Sequence, residues 1–161
     1  MLGSTEHNSI SCTKSTHEAV NILLIEDNLA DVRLFRRALQ QTEMRHCLSV
    51  LHDGEDAVEY LFRRGEHADA IVPDLIVLDL NLPRKSGLEI LKEIRADRAL
   101  KRTPVVVLTS SAHQSDVNTA YENGANMYLL KRHSLAEIED LVHFIATTWL
   151  ETATLPEVVE H

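Results

Sequence analysis

Residues 75–81 read Leu-Ile-Val-Leu-Asp-Leu-Asn (LIVLDLN) and dictate much of the architecture of the chain. Four consecutive aliphatic residues are typical of a short strand that is buried on both faces, as in a parallel sheet. The run leads directly into Asp79, and a buried carboxylate is costly unless a cation neutralises its charge. The segment therefore predicts a central strand whose carboxyl end lies in a charged site.

Four further segments of the same kind surround this strand, and each of the five is followed by a helix pattern. The predicted strands are residues 21–25, 47–52, 74–80, 105–110 and 126–131. Ser86-Gly-Leu-Glu89 and Ser134-Leu-Ala-Glu137 are capping-box patterns that begin two of the helices. Strands that alternate with helices in this way indicate an α/β fold, a doubly wound five-stranded parallel sheet with helices on both faces.

The bulk composition limits the possible function classes. The chain has 161 residues, 44% hydrophobic, and a formal net charge of −9, which argues against nucleic-acid binding. Neither a transmembrane run nor the apolar core of a signal peptide is present, so we expect a cytoplasmic protein that does not bind membranes. We expect residues 1–19 to be a flexible extension, residues 20–150 one domain, and residues 151–161 a C-terminal tail.

Polar groups follow the predicted strands at their carboxyl ends, which in such sheets form one edge. Glu26 and Asp27 follow the first strand, Asp79 the third, Thr109 the fourth and Lys131 the fifth. Clustered carboxylates need a proton or a divalent cation, and oxygen ligands alone favour Mg²⁺. A hydroxyl and an ammonium opposite them would suit a phosphoryl group, with Asp79 as the nucleophile that forms an acyl phosphate.

Each of these residues has an ordinary structural explanation when it is taken alone. An Asp after a strand often stabilises a turn, and an acidic pair before a helix complements the helix dipole. A single Thr or Lys at a strand end is equally common. The matching groups at four strand ends, in the appropriate order, favour a functional site over a set of coincidences.

The motifs LLIEDN, LIVLDLNLPRKSG, VVVLTSS and Tyr-Leu-Leu-Lys resemble the receiver domain of two-component response regulators over roughly residues 20–148. The resemblance implies a flavodoxin-like strand order, 2-1-3-4-5, and a phosphoacceptor signalling protein rather than an enzyme. It implies that Asp79 is the phosphoacceptor. It also implies Mg²⁺ ligands from Asp27, Asp79, the backbone carbonyl of Asn81 and, through water, Glu26, with Thr109, Lys131 and Tyr128 as the phosphoryl-binding and switch residues.

A closer resemblance concerns the segments YLFRRGEHADAIVPDL and RADRALKRTPVVVLTSS and the closing Trp149-Leu and Thr-Leu-Pro. These are similar to the small stand-alone regulators that are paired with bacterial phytochromes. The resemblance implies a phytochrome-type sensor histidine kinase as partner, and homodimers. The wide apolar stripe of the last helix suggests a dimer face formed with the last strand and the preceding helix. Alternatively, the tail with Leu155 and Pro156 covers that stripe.

One residue departs from the family pattern. Receivers usually have a proline after the lysine, joined by a cis peptide bond, whereas Arg132 follows Lys131 here. A cis bond before a non-proline residue costs about 2.5–4 kcal/mol, so we predict a trans bond and a re-routed loop. The change could also move Lys131 away from the site.

Two other functions remain open from the sequence. A phosphorylation-independent interaction module could retain the fold after its chemistry has faded, which Arg132 mildly favours. A phosphatase with an aspartate nucleophile would also place an Asp after a parallel strand. Such enzymes use a second acid two residues after the nucleophile, where this chain has Asn81.

Overall fold

The structure, a computed structural model, describes residues 19–131 and 134–158. The predicted flexible segment 1–19 lies, apart from Ala19, outside the described residues. The Lys131–Arg132 bond lies outside them as well, so the trans geometry stays a prediction.

A five-stranded parallel sheet forms the centre of the domain, in the order β2-β1-β3-β4-β5. This confirms the predicted fold class and strand order. The strands are β1 (Val20–Ile25), β2 (His46–Leu51), β3 (Leu75–Leu78), β4 (Val105–Thr109) and β5 (Met127–Leu130). The helices are α1 (Leu29–Leu39), α2 (Gly54–Leu61), α3 (Gly87–Ala96), α4 (Gln114–Glu122) and α5 (Leu135–Ala146).

Strand β3 has helices packed against both of its faces. Leu75 and Val77 pack with α1 and α5, whereas Ile76 and Leu78 pack with α2 and α3. All four side chains are fully buried. An unbroken aliphatic run is what such a strand requires, because neither of its faces meets water.

Side-chain caps fix where several helices begin. Asn28 accepts hydrogen bonds from two backbone N–H groups at the start of α1, and Asp53 caps α2. Ser86 and Glu89 form the predicted reciprocal capping box of α3. These caps place the first turns of α1, α2 and α3 directly beyond the carboxyl ends of the strands.

Two helical details concern residues at the helix ends. Leu29 is apolar but 59% exposed, because it is the first residue of α1 and lies beyond the sheet. Helix α5 does not continue regularly to Trp149. It changes at Thr147–Thr152 to a π-helical turn, whose wider spacing moves the following side chains around the axis. Leu150 in that turn is buried.

The described part of the C-terminal tail, residues 151–158, leaves exposed apolar side chains on α5. The Arg102 guanidinium donates a hydrogen bond of 3.0 Å to the carbonyl of Glu157, and Val158 packs against the core on the α2–α3 side of the sheet. Leu135 and Phe144 of α5 remain 66% and 47% exposed. None of the helices in the described residues is long and apolar enough to cross a membrane.

Gly87, the first residue of α3, allows the helix to approach the backbone that carries Asp79. A Cβ at this position would lie 2.3 Å from the Asp79 carbonyl oxygen and 2.7 Å from the Leu80 Cα. We expect Gly87→Ala to lower the free energy of unfolding by about 1–3 kcal/mol, because backbone atoms must move to relieve the overlap. Urea unfolding measures this. The control Lys92→Ala, at an exposed position of α3, should change stability by less than about 0.5 kcal/mol, and an equal effect of the two substitutions would contradict the packing role of Gly87.

Candidate functional site

The predicted residues meet at the carboxyl edge of the sheet. Glu26 and Asp27 directly follow β1, Asp79 follows β3, Thr109 ends β4 and Lys131 follows β5. The register pairs Ile25 with Leu78, so the loops after β1 and β3 start at the same level. The Asp79 N–H donates to the Ile25 carbonyl at 3.0 Å, which fixes Asp79 beside Glu26.

The ammonium of Lys131 lies at the centre of this edge. Its Nζ is 2.6 Å from Glu26 Oε2, 2.9 Å from Asp31 Oδ2 and 3.1 Å from Asp79 Oδ2. An ammonium has three donors, and here each donor faces a carboxylate. The expectation that Arg132 could move Lys131 away from the site is wrong, since Lys131 bonds directly to Asp79.

Three carboxylates of this cluster are close enough to share a cation. Ligand oxygens of Glu26, Asp27 and Asp79 all lie within 4.8 Å of one another. Glu26 and Asp79 are buried whereas Asp27 is exposed, so the group is open to solvent on one side. An all-oxygen, strongly acidic donor set fits a hard divalent ion such as Mg²⁺ or Mn²⁺.

Burial and hydrogen bonds act in opposite directions on Glu26. Its Oε1 accepts from the Asn28 N–H at 3.0 Å, and its Oε2 accepts from Lys131. Burial nevertheless raises the pKa of Glu26 to about 7, against the lowering effect of the Lys131 hydrogen bond and with a further rise from the charge of Asp79. Burial alone would lower the pKa of Lys131, but its bonds to Glu26 and Asp31 raise it above its ordinary value.

The two carboxylate oxygens of Asp79 have different partners. Its Oδ2 faces Lys131, and its Oδ1 accepts a hydrogen bond of 3.2 Å from the backbone N–H of Asn81. The Asn81 residue itself is exposed. The turn after β3 therefore holds the Asp79 carboxylate in one orientation at the mouth of the edge.

Thr109 and Tyr128 are joined through the loop that follows β4. The hydroxyl of Thr109, which is fully buried, accepts from the Ser111 N–H at 3.4 Å. The Tyr128 hydroxyl donates to the Ser111 carbonyl at 2.8 Å, and the Ser111 hydroxyl donates to Asp116 of α4. In turn, the Tyr128 N–H donates to the hydroxyl of Tyr121, also on α4, at 3.1 Å. One network thus connects the predicted switch residues to α4.

The loop between β3 and α3 is tied to the start of α2. Arg84 donates to both carboxylate oxygens of Asp53 at 2.8 Å and to Glu55 at 2.9 Å. Arg84 has a φ of +68°, a left-handed conformation that is uncommon outside glycine. A Cβ on Gly54 would lie 1.9 Å from the Lys85 carbonyl oxygen. The close approach and the ion pair both fix the loop that carries Asn81.

Sequence reasoning missed Asp31 and Arg84. Asp31 lies in the first turn of α1 rather than at a strand end, so the rule that selected the other carboxylates passes over it. The available signal was its place four residues after Asp27, in the first turn of a helix capped by Asn28. Arg84 stood inside the quoted motif LIVLDLNLPRKSG, but its partner on α2 is distant in sequence.

Comparisons with known proteins agree with this geometry. The family described as the response regulator receiver domain matches residues 22–143. Response regulator Rcp1 from Synechocystis is 46% identical over 135 residues, which cover 84% of this chain and 92% of Rcp1. Two solved structures, the Mn²⁺-bound form of Rcp1 and the phosphorylated cyanobacterial phytochrome response regulator RcpA, each superpose with a TM-score of 0.84 at 45% identity. Each covers 86% of this chain and 99% of its own.

Removal of the Lys131 charge should lower the free energy of unfolding by an amount that depends on pH. We expect Lys131→Met to lower the free energy of unfolding by about 3–5 kcal/mol at pH 8, because buried Glu26 and Asp79 lose their counter-charge. The pKa of folded Glu26, about 7, lies above its ordinary value of 4.5, and it rises further without Lys131. Protonation therefore favours the folded variant, and the loss should be smaller at pH 6.

Urea unfolding at pH 6 and pH 8 measures both quantities. The control Lys85→Met breaks a pair with half-exposed Glu93 and should cost less than about 1 kcal/mol at either pH. If Lys131→Met lowers the free energy of unfolding equally at the two pH values, Lys131 is not the counter-charge of buried Glu26.

Proposed function

The chain belongs to the response regulator receiver domain family, and from this premise we propose that Asp79 accepts a phosphoryl group from a sensor histidine kinase. The observation that carries the proposal is the buried Asp79 carboxylate, held 3.1 Å from the Lys131 ammonium beside two further acids. A buried acid at the end of a hydrophobic strand destabilises the fold. Such costly groups are found preferentially at functional sites.

The transfer balances as an in-line displacement. An oxygen of Asp79 attacks the phosphorus of a phosphohistidine, the new O–P bond forms, and the P–N bond breaks. The imidazole nitrogen leaves with the electron pair. Asp79 is oriented for attack by the Asn81 N–H on one oxygen and by Lys131 on the other. The fully buried strand β3, which directly precedes Asp79, fixes the position of its backbone.

A divalent cation fits the acidic group. We propose that Asp27, Asp79 and the backbone carbonyl of Asn81 would hold Mg²⁺, with Glu26 acting through water. A bound ion would offset the negative charge of the transferring oxygens. The clustered oxygens of the three carboxylates support this, as does the Mn²⁺ form of the related Rcp1.

Lys131, Thr109 and Tyr128 are proposed to respond to the phosphoryl group. Lys131 would exchange a carboxylate partner for a phosphoryl oxygen. The Thr109 hydroxyl, which accepts a long bond from the Ser111 N–H, would donate to a second phosphoryl oxygen. Tyr128 bonds to the carbonyl of the same Ser111. A shift of this loop therefore reaches Tyr128 and, through the Tyr128 N–H, the α4 surface. This coupling favours a switchable receiver over a phosphorylation-independent interaction module.

We propose that the kinase is of the phytochrome type and that output passes through a homodimer face on α4, β5 and α5. The likeness to Rcp1 and to RcpA, a phytochrome response regulator, supports the first part. Tyr121 on α4 is 50% exposed, and Leu135 and Phe144 on α5 are also exposed. Large apolar groups at the surface of helices on the two sides of β5 indicate a protein contact.

The phosphoryl proposal is tested by mass measurement of the intact protein. With Mg²⁺ and acetyl phosphate, or with a phosphorylated phytochrome histidine kinase, the wild type should gain the mass of one phosphoryl group. Asp79→Asn should gain none, and a metal chelator should abolish labelling. The matched control Asp74→Asn changes an aspartate that precedes the same strand at its other end and should be labelled like the wild type. Label on Asp79→Asn, or none on the wild type with either donor, would contradict the proposal.

The dimer proposal is tested by light scattering coupled to gel filtration. We expect the wild type to be dimeric at high micromolar concentration and Phe144→Ser to be shifted to monomer, since it removes a half-exposed aromatic from the face. Met44→Ser changes another exposed apolar residue, 40% accessible and ahead of β2, and should leave the dimer intact. A monomeric wild type would reject the interface.

A further inference from the structure

Asp31 is the one partner of Lys131 in this cluster that lies on a helix rather than after a strand. Its Oδ2 is 2.9 Å from Lys131 Nζ, and its side chain is 16% exposed. Its backbone N–H is held by the Asn28 cap at 3.1 Å, so the start of α1 fixes the carboxylate toward the site. Within the described residues, the carboxylates grouped closely enough to share a cation are Glu26, Asp27 and Asp79, and Asp31 is not among them.

The three partners of Lys131 therefore differ in what else they can bind. Glu26 and Asp79 belong to the group that would face a divalent cation, and Asp79 would also carry the phosphoryl group. A cation shared by these two carboxylates weakens their hold on Lys131 and repels the ammonium directly. The charge of Asp31 remains available to Lys131 in that state, because Asp31 stands outside the group.

We propose that Asp31 is a positioning residue that holds the Lys131 ammonium beside Asp79 while Glu26 and Asp79 engage the cation and the phosphoryl group. The inference rests on the proposed function. It also accounts for a lysine that keeps its place although Arg132, rather than proline, follows it in the sequence. Asp31 touches neither the reacting oxygen nor the cation group and acts through Lys131.

An ordinary structural role for Asp31 makes a different prediction. An acid in the first turn of a helix stabilises it through the helix dipole, whatever its tertiary partners. Glu137 in the first turn of α5 is such an acid and is exposed. If Asp31 acted only through the helix dipole, removal of its charge would have the same effect as removal of the Glu137 charge. That effect would not depend on Lys131.

The first experiment is a double-mutant cycle on the rate of phosphorylation by acetyl phosphate at saturating Mg²⁺. We expect Asp31→Asn to slow labelling about fivefold, because the variant weakens one hydrogen bond between charged groups without removing it. Saturating Mg²⁺ removes any contribution from weaker cation binding. In a Lys131→Met background, Asp31→Asn should change the rate less than about 1.5-fold. Glu137→Gln should leave the wild-type rate unchanged. An equal slowing by Asp31→Asn in both backgrounds would overturn the proposal.

The second experiment does not require phosphorylation. With Mg²⁺ bound, the Lys131 ammonium should give a slowly exchanging nitrogen–proton NMR signal, assigned by its loss in Lys131→Met. Asp31→Asn should broaden or abolish that signal while the backbone amide spectrum stays that of the wild type. An unchanged ammonium signal in Asp31→Asn would overturn the proposal. If the wild type takes no phosphoryl group, the proposed function fails, and the NMR result still decides whether Asp31 holds Lys131.

Discussion

The ion pairs of one ammonium with three carboxylates are the constraint around which this end of the molecule is arranged. Lys131 bonds to Glu26, Asp31 and Asp79 within 3.1 Å. It offsets only part of the negative charge there, because Asp27 stands beside the same group. The excess of acid over base both destabilises this edge and attracts a divalent cation. The affinity of the site for a cation and its cost to the fold therefore have one origin.

The rest of the domain makes that charge tolerable. The fully buried strand β3 and the helices on its two faces supply the apolar burial that stabilises the fold. Gly87 and Gly54 let backbone segments approach where a Cβ would overlap them. Arg84 then closes the loop beyond Asp79 onto α2. Stability is thus concentrated in the sheet, and the loops that carry the site are held by a few specific contacts.

Features encoded locally could be predicted from the sequence, and features that depend on distant partners could not. The aliphatic runs predict the parallel sheet, and the order of polar groups at the strand ends predicts that Glu26 and Asp79 lie together. Asp31 escaped because its role depends on where a lysine 100 residues later is placed. The path of the tail escaped for the same reason, since the contact between Arg102 and the Glu157 carbonyl joins two loops. The expectation that Arg132 could displace Lys131 was wrong because three carboxylates from other parts of the chain hold the ammonium.

The bond from the Tyr128 N–H to the Tyr121 hydroxyl bears on how chains can associate. Strand β5 is an edge strand, and an exposed edge can pair with the edge of another molecule and seed aggregation. The strand has only four residues, and Tyr121 occupies one of its outward donors. Continuation of the sheet from one molecule into the next is therefore obstructed. Copies that meet on this side would recognise each other mainly through side chains, so a change of surface residues can change the partner while the backbone edge stays a poor template for polymerisation.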